Sequence, residues 1–231
     1  MLKLLPVRTK SSALRQLISK KKWSRLSKYL SSEEGRSDAT HAIHDKDGKG
    51  HSAFHAACAS MAPLAILREL HSIHPEAVFE VDKSNATPLH AAVKQGATVE
   101  VVKFLLYHNP EAALMKDSRG KTPLHLACEV ETIGEYQSPF WLDVIEIIKV
   151  LCDAAPRWMD IQDLKGRNAI EYAVSICSHE EVIRVLTDKT GDLGDIPKII
   201  SIPLESKGNI ATAAVIFPCE LLDTNNFSSL S

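Results

Sequence analysis

With 231 residues, 45% of them hydrophobic and 24% charged, the chain can bury a sizeable core, which excludes disorder along its whole length. The nearest approach to a membrane span, "IATAAVIFPCELL" (210–222), is too short and carries a proline and a glutamate. A formal net charge of −2 hides an asymmetry: residues 1–32 hold nine Lys or Arg and no acid, and the remainder holds 18 basic and 29 acidic residues.

The N-terminal arm, residues 1–11, opens "MLKLLPVRTK" and lacks the sustained apolar stretch of a secretory signal. Its acid-free start also suits a mitochondrial presequence, but lysine outnumbers arginine there. The five cysteines are an odd count with no CxxC pair, so reduced thiols in an intracellular protein are expected. After the arm, Ser12-Ala13-Leu14 and then Trp23, Leu26 and Leu30 predict a divergent pair of short helices with a polar outer face. Residues 31–46, "SSEEGRSDATHAIHDK", are expected to form an enlarged loop.

Downstream the chain is openly periodic. "DGKGHSAFHAAC" (47–58), "DKSNATPLHAAV" (82–93), "DSRGKTPLHLAC" (117–128) and "DLKGRNAIEYAV" (163–174) begin at aspartates spaced 35, 35 and 46 apart. Gly50, Asn85, Gly120 and Gly166 mark a turn that needs positive φ. Thr87 and Thr122 are placed to cap a helix whose first residue is Pro88 or Pro123. Small residues such as Ala91 and Ala92 let that helix approach its neighbours. A second apolar helix follows each block, "ILREL" (66–70), "VVKFLL" (101–106), "IIKVL" (147–151) and "VIRVL" (182–186), and Pro75, Pro110 and Pro156 stop three of them. The third arrives late because about eleven residues, near 131–141, are inserted between the two helices. There Ser138-Pro139 predicts the start of a lengthened second helix, and Tyr136, Phe140 and Trp141 offer either an aromatic anchor or packing against the next unit.

The phrase D-x-x-G-x-T-P-L-H-x-A at this period resembles the ankyrin repeat. The resemblance implies an all-α solenoid of about five stacked units, 12–46, 47–81, 82–116, 117–162 and 163–190, with divergent units at both ends. It also implies that His55, His90 and His125 hydrogen-bond toward a neighbouring unit. Residues 191–231 fall outside the pattern. Their β-branched clusters separated by Gly, Pro and Asn leave open a strand-containing appendage, the stub of a further domain or a tail.

No catalytic site, cofactor or metal is expected. The chain holds no GxxxxGK[ST], GxGxxG after a strand, GxSxG or HExxH. His41, His44, Asp45, Asp47, His51 and His55 lie within fifteen residues, but Asp47 and His55 have roles in the repeat and no cysteine joins them. Cys58 and Cys128 share a position that accepts valine in the other copies, which predicts buried, unreactive thiols.

Ankyrin stacks resemble one another in acting as adaptor surfaces that bind through hairpin tips and the exposed face of each first helix. Carried onto this chain, the tip positions are Lys49 and His51, Lys83, Arg119 and Lys121, and Lys165 and Arg167. The internal helix-face positions are Lys94, Gln95 and Glu129. A basic ridge on an acidic body implies a protein partner with an acidic segment, bound by a monomer in the cytoplasm or nucleus. Nucleic acid and membrane are not the expected partners, although the basic arm admits a membrane- or nucleic-acid-associated adaptor. A regulatory segment of a larger signalling or enzymatic protein is the other alternative.

Overall fold

The computed structural model describes residues 11–42, 45–130, 141–176, 180–191, 199–206 and 209–216. Eleven α-helices occur among them. The first helices of successive pairs are α1 (Ser11–Ser19), α4 (Ala53–Ala59), α6 (Pro88–Lys94), α8 (Pro123–Val130) and α10 (Ala169–Ser175). The second helices are α2 (Trp23–Ser31), α5 (Leu64–Ile73), α7 (Val99–His108), α9 (Trp141–Ala154) and α11 (Glu180–Gly191). One further helix, α3 (Glu33–Ala42), follows α2. Each first helix packs on the next first helix and each second helix on the next second helix, so two rows run side by side. The core lies between the rows, where Leu67, Leu70, Leu89, Leu105, Leu124 and Ile148 are fully buried. Each such side chain contributes roughly 1.5–3 kcal/mol of burial.

Local chemistry starts and stops these helices as the sequence predicts. Thr87 Oγ1 accepts from the His90 N–H, and Pro88 takes the first helical position, where a missing N–H goes unused. The second helices end at Ile73, His108 and Ala154, each two residues ahead of a proline. Pro75 and Pro110 then begin short 3-10 turns. The lengthening of α9 to 14 residues, against 10 in α5 and α7, follows the insertion. Trp141 opens that helix, whereas Tyr136 and Phe140 lie outside the described residues.

The region 31–46 departs from expectation, because α3 occupies most of the predicted loop. Ser32 Oγ accepts from the Gly35 N–H at 3.1 Å, and Glu33 and Glu34 lie in the first turn, where carboxylates favour a helix start. Gly35 disguised this signal by its poor helix propensity. A side chain there is barred by close approach: a Cβ would lie 1.9 Å from the Tyr29 carbonyl oxygen.

Between the helix pairs the chain turns through fingers at 47–51, 82–86, 117–121 and 163–167. The turn positions Gly50, Asn85, Gly120 and Gly166 have φ of 84°, 57°, 75° and 75°. Neighbouring fingers are stitched by backbone hydrogen bonds: Lys83 N–H to Lys49 O at 3.0 Å, Ser118 N–H to Ser84 O at 2.6 Å, and Leu164 N–H to Arg119 O at 3.2 Å. On the other side of the stack, buried Asn109 donates to Val78 O at 3.0 Å. After the last helix, β1 (Ile199–Ser206) and β2 (Asn209–Ile216) form an antiparallel pair, Ile199 opposite Ile216 and Ser206 opposite Asn209, with β1 beside α10.

Candidate functional site: the concave groove

Each finger is organised by its leading aspartate. Asp47 Oδ1 accepts from the Lys49 and His51 N–H groups, both at 2.8 Å. Asp82, Asp117 and Asp163 make the same pair of bonds in their own turns. Desolvation works against the charge of these carboxylates. The hydrogen bonds they accept from the turn outweigh it, so all four titrate below the ordinary aspartate range.

Behind the fingers stands a row of histidines. His90 Nε2 lies 3.2 Å from the Lys121 carbonyl oxygen, which can only accept, so Nε2 carries the proton. Nδ1 is left to accept from the Thr87 hydroxyl, 2.8 Å away, and from the Thr87 N–H at 3.2 Å. His55 repeats this between Ser52 and Ala86 O, and His125 between Thr122 and Arg167 O. Each histidine therefore ties its own helix start to the next finger, as the resemblance implied. All three are buried, and burial lowers their proton affinity.

Fingers and first helices together enclose a groove of about 740 Å³. It is lined by six of the ten predicted contact residues, Lys49, His51, Lys83, Lys94, Gln95 and Arg119. Lys121, Glu129, Lys165 and Arg167 are not among its walls, and the reason is graded side-chain size. One position on the inner face of the first helices carries Ala91, then Leu126, then Tyr172. The Tyr172 ring fills the C-terminal end, with Lys121 Nζ 4.5 Å and Arg167 Cζ 4.7 Å from its centroid. Lys121 also pairs with Glu129 and donates to the Tyr172 hydroxyl at 2.6 Å, while that hydroxyl donates to Glu129. Burial and the Glu129 charge raise the Tyr172 phenol well above its ordinary range. The departure from alanine at residue 172 was visible in the sequence as the signal for this plug.

The structure also redistributes the basic ridge. Arg119 forks onto Asp117 Oδ2 at 3.0 and 2.9 Å, and Arg167 onto Asp163 Oδ2 at 3.0 and 2.6 Å. Lys83 Nζ donates to Gly48 O at 2.8 Å. His51 spans two fingers, with Nδ1 3.0 Å from Asp47 and Nε2 3.2 Å from Asp82. Counting only the tip positions missed these aspartates, which folding points back at the arginines. Lys49, Lys94 and Lys165 are exposed and form no ion pair among the described residues.

Among the described residues no three His, Cys, Asp or Glu are grouped to hold a metal ion. Within the His-rich stretch, His44 lies outside them, and Asp47, His51 and His55 are engaged as above. Cys58, Cys128 and Cys152 are buried, and burial pushes the Cys58 thiol far up and that of Cys152 up to about 12. Cys177 and Cys219 lie outside the described residues. Lys20, Lys21 and Lys22 are exposed at the turn between α1 and α2, and residues 1–10 of the arm lie outside the described set. No described helix is long and apolar enough to cross a membrane.

No curated protein matches the sequence beyond chance. The family described as ankyrin repeats (3 copies) matches residues 9–112 and 54–137, more than half of the chain. Such repeats are in general modules for protein–protein interaction. With its capped helix starts, stitched fingers and histidine row, the chain belongs to the ankyrin-repeat family.

Proposed function

We propose that the chain is a non-catalytic adaptor whose concave groove grips an acidic segment of another protein. The observation that carries this reading is the pair Lys49 and Lys94, which line the groove from a finger and from the end of α6 and have no carboxylate partner among the described residues. The groove's other cationic side chains, His51, Lys83 and Arg119, serve the fold, so Lys49, Lys94 and the Gln95 amide are what the groove offers an incoming carboxylate. Charges of this kind set association rate and specificity more than total affinity. In this reading the module is monomeric, consists of the five units 12–46, 47–81, 82–116, 117–162 and 163–190, and works in the cytoplasm or nucleus. The buried thiols of Cys58 and Cys152 accord with that setting.

Fluorescein-labelled hexaglutamate titrated into the full chain tests the groove. Binding is expected to weaken with added salt, and to fall at least tenfold in a Lys49→Glu, Lys94→Glu double variant whose circular dichroism is unchanged. Arg119→Gln is expected to cost less than threefold. Equal binding by wild type and double variant overturns the reading. Affinity capture from native lysate with the same two proteins then serves to identify the natural partner.

A further inference from the structure

The opposite face of the stack holds a second recess, of about 590 Å³, between the second helices α5 and α7. It shares no residue with the concave groove. Arg68 and His71 line it from α5, and Lys103, Phe104, Tyr107 and His108 from α7. Helical periodicity explains the grouping, because 68 and 71 lie on one stripe of α5 and 103, 104, 107 and 108 on one stripe of α7. Arg68, Lys103 and Tyr107 face away from the core, which takes Leu67 and Leu70 of α5 and Val102 and Leu105 of α7, while Phe104 packs partly against that core. Helix α7 thus carries two large rings, Phe104 and Tyr107, beyond the stripe that its fully buried residues form.

The rings on that outer stripe are packed with each other. Phe104 meets His71 edge-on at 5.6 Å and His108 at 4.7 Å, the two histidine rings are 4.0 Å apart, and Tyr107 meets His108 at 5.0 Å. Tyr107 is nonetheless 82% exposed. The corresponding positions of α5 and α9 hold Ser72 and Asp153, ordinary solvent-facing residues, so the fold does not require an aromatic side chain there. Burial and the neighbouring His108 lower the proton affinity of His71.

Charge at the rim indicates what would cover these rings. Arg68 and Lys103 are exposed and form no ion pair within 4.0 Å among the described residues. The one carboxylate at the rim, Glu100, is held in the first turn of α7 by its own N–H and by Thr98, and interacts more weakly with Lys103. An excess of positive charge around a ring-lined floor is complementary to an aromatic side chain flanked by carboxylates. We infer that the outer recess between α5 and α7 is a second docking surface, for a peptide segment that inserts one aromatic ring with acidic residues on either side. Arg68 and Lys103 receive the carboxylates, and the inserted ring packs against Phe104 and Tyr107.

The test uses a fluorescent nonapeptide with a single phenylalanine between two glutamates in a Gly/Ser background, titrated into the full chain. The His71 and His108 imidazole resonances are expected to shift and saturate together. Tyr107→Ser, at an exposed position that leaves the core intact, is expected to weaken binding at least fivefold, and so is Arg68→Glu. A peptide with alanine for phenylalanine should bind at least tenfold more weakly, and the Lys49→Glu, Lys94→Glu variant should bind the original peptide as the wild type does. Four outcomes overturn the inference: imidazole resonances that do not move, an alanine peptide that binds equally, binding lost in the lysine variant, or a concentration-dependent dimer abolished by Tyr107→Ser. The last would assign the recess to a second copy of the chain, and the third would place the peptide in the concave groove.

Discussion

His90 and Glu171 occupy the same position in two of the first helices, yet one reaches outward and the other folds back. His90 spends Nδ1 on the Thr87 cap and still sends Nε2 to the next finger, at Lys121 O. Glu171 accepts from the Asn168 N–H at 2.8 Å while Asn168 Oδ1 accepts from the Glu171 N–H at 2.9 Å, which closes a capping box within one unit. The difference is one of valence. An imidazole has a second nitrogen on its far side, and a carboxylate that has turned back to its own backbone has no donor to send forward. An interior unit thus couples to its successor where the last first helix satisfies itself, as expected for stacked repeats stabilised by nearest-neighbour interfaces.

The sharpest way to break this comparison is at the turn glycines. A Cβ on Gly120 would stand 2.7 Å from the backbone nitrogen of Leu164 in the next finger, whereas one on Gly166 would meet nothing within 4 Å, and both have φ of 75°. Gly120→Ala is therefore expected to lose about 4 kcal/mol, from positive φ plus the clash, and Gly166→Ala about 1 kcal/mol from φ alone. Urea unfolding followed by circular dichroism measures both, and equal losses would mean that finger stacking contributes nothing. Next in size, His90→Ala leaves the buried Thr87 N–H without its partner, takes from Lys121 O one of its two hydrogen bonds and opens a cavity, and should cost about 3 kcal/mol, against about 1 kcal/mol for Glu171→Ala.

A pH series sharpens the comparison further. The three buried histidines bind protons less readily than in the unfolded chain. Above about pH 6.5 both states are neutral at these sites and the stabilisation is fully present. As pH falls below that value the unfolded chain takes up protons first, so stability declines until the folded histidines titrate. Each histidine adds up to about 1.4 kcal/mol per pH unit to that slope. His90→Gln should remove up to one such increment between pH 6.5 and 5, and Glu171→Gln should remove none of it. An identical slope in wild type and His90→Gln would show that His90 does not titrate differently on folding. The smallest effect is expected at Asn85, whose φ of 57° carries strain but whose Nδ2 donates to Lys116 O at 2.6 Å. Asn85→Gly relieves one and loses the other, and stability should change by no more than about 0.5 kcal/mol.

The amino-acid sequence by itself determined the repeat, because what defines a unit is local: an aspartate that accepts its own turn's N–H groups, a residue tolerant of positive φ, a hydroxyl cap and a proline at the first turn. These act within about ten residues and recur at a visible period, so helix starts at 88 and 123 and the role of His90 could be read directly. The helix at 33–42 was missed because Gly35 looks like a breaker until its contact with the Tyr29 carbonyl is seen. The folded structure decided which charges are available. Arg119, Lys121 and Arg167 read as a ridge in one dimension, but folding sets Asp117, Glu129, Asp163 and the Tyr172 ring against them. Lys49 and Lys94, 45 residues apart in sequence, become walls of one groove. The carboxylate pairs close within one unit, but the joining of Lys49 to Lys94 and of Lys121 to the Tyr172 ring depends on distances across the stack, which the local rules of a repeat do not contain.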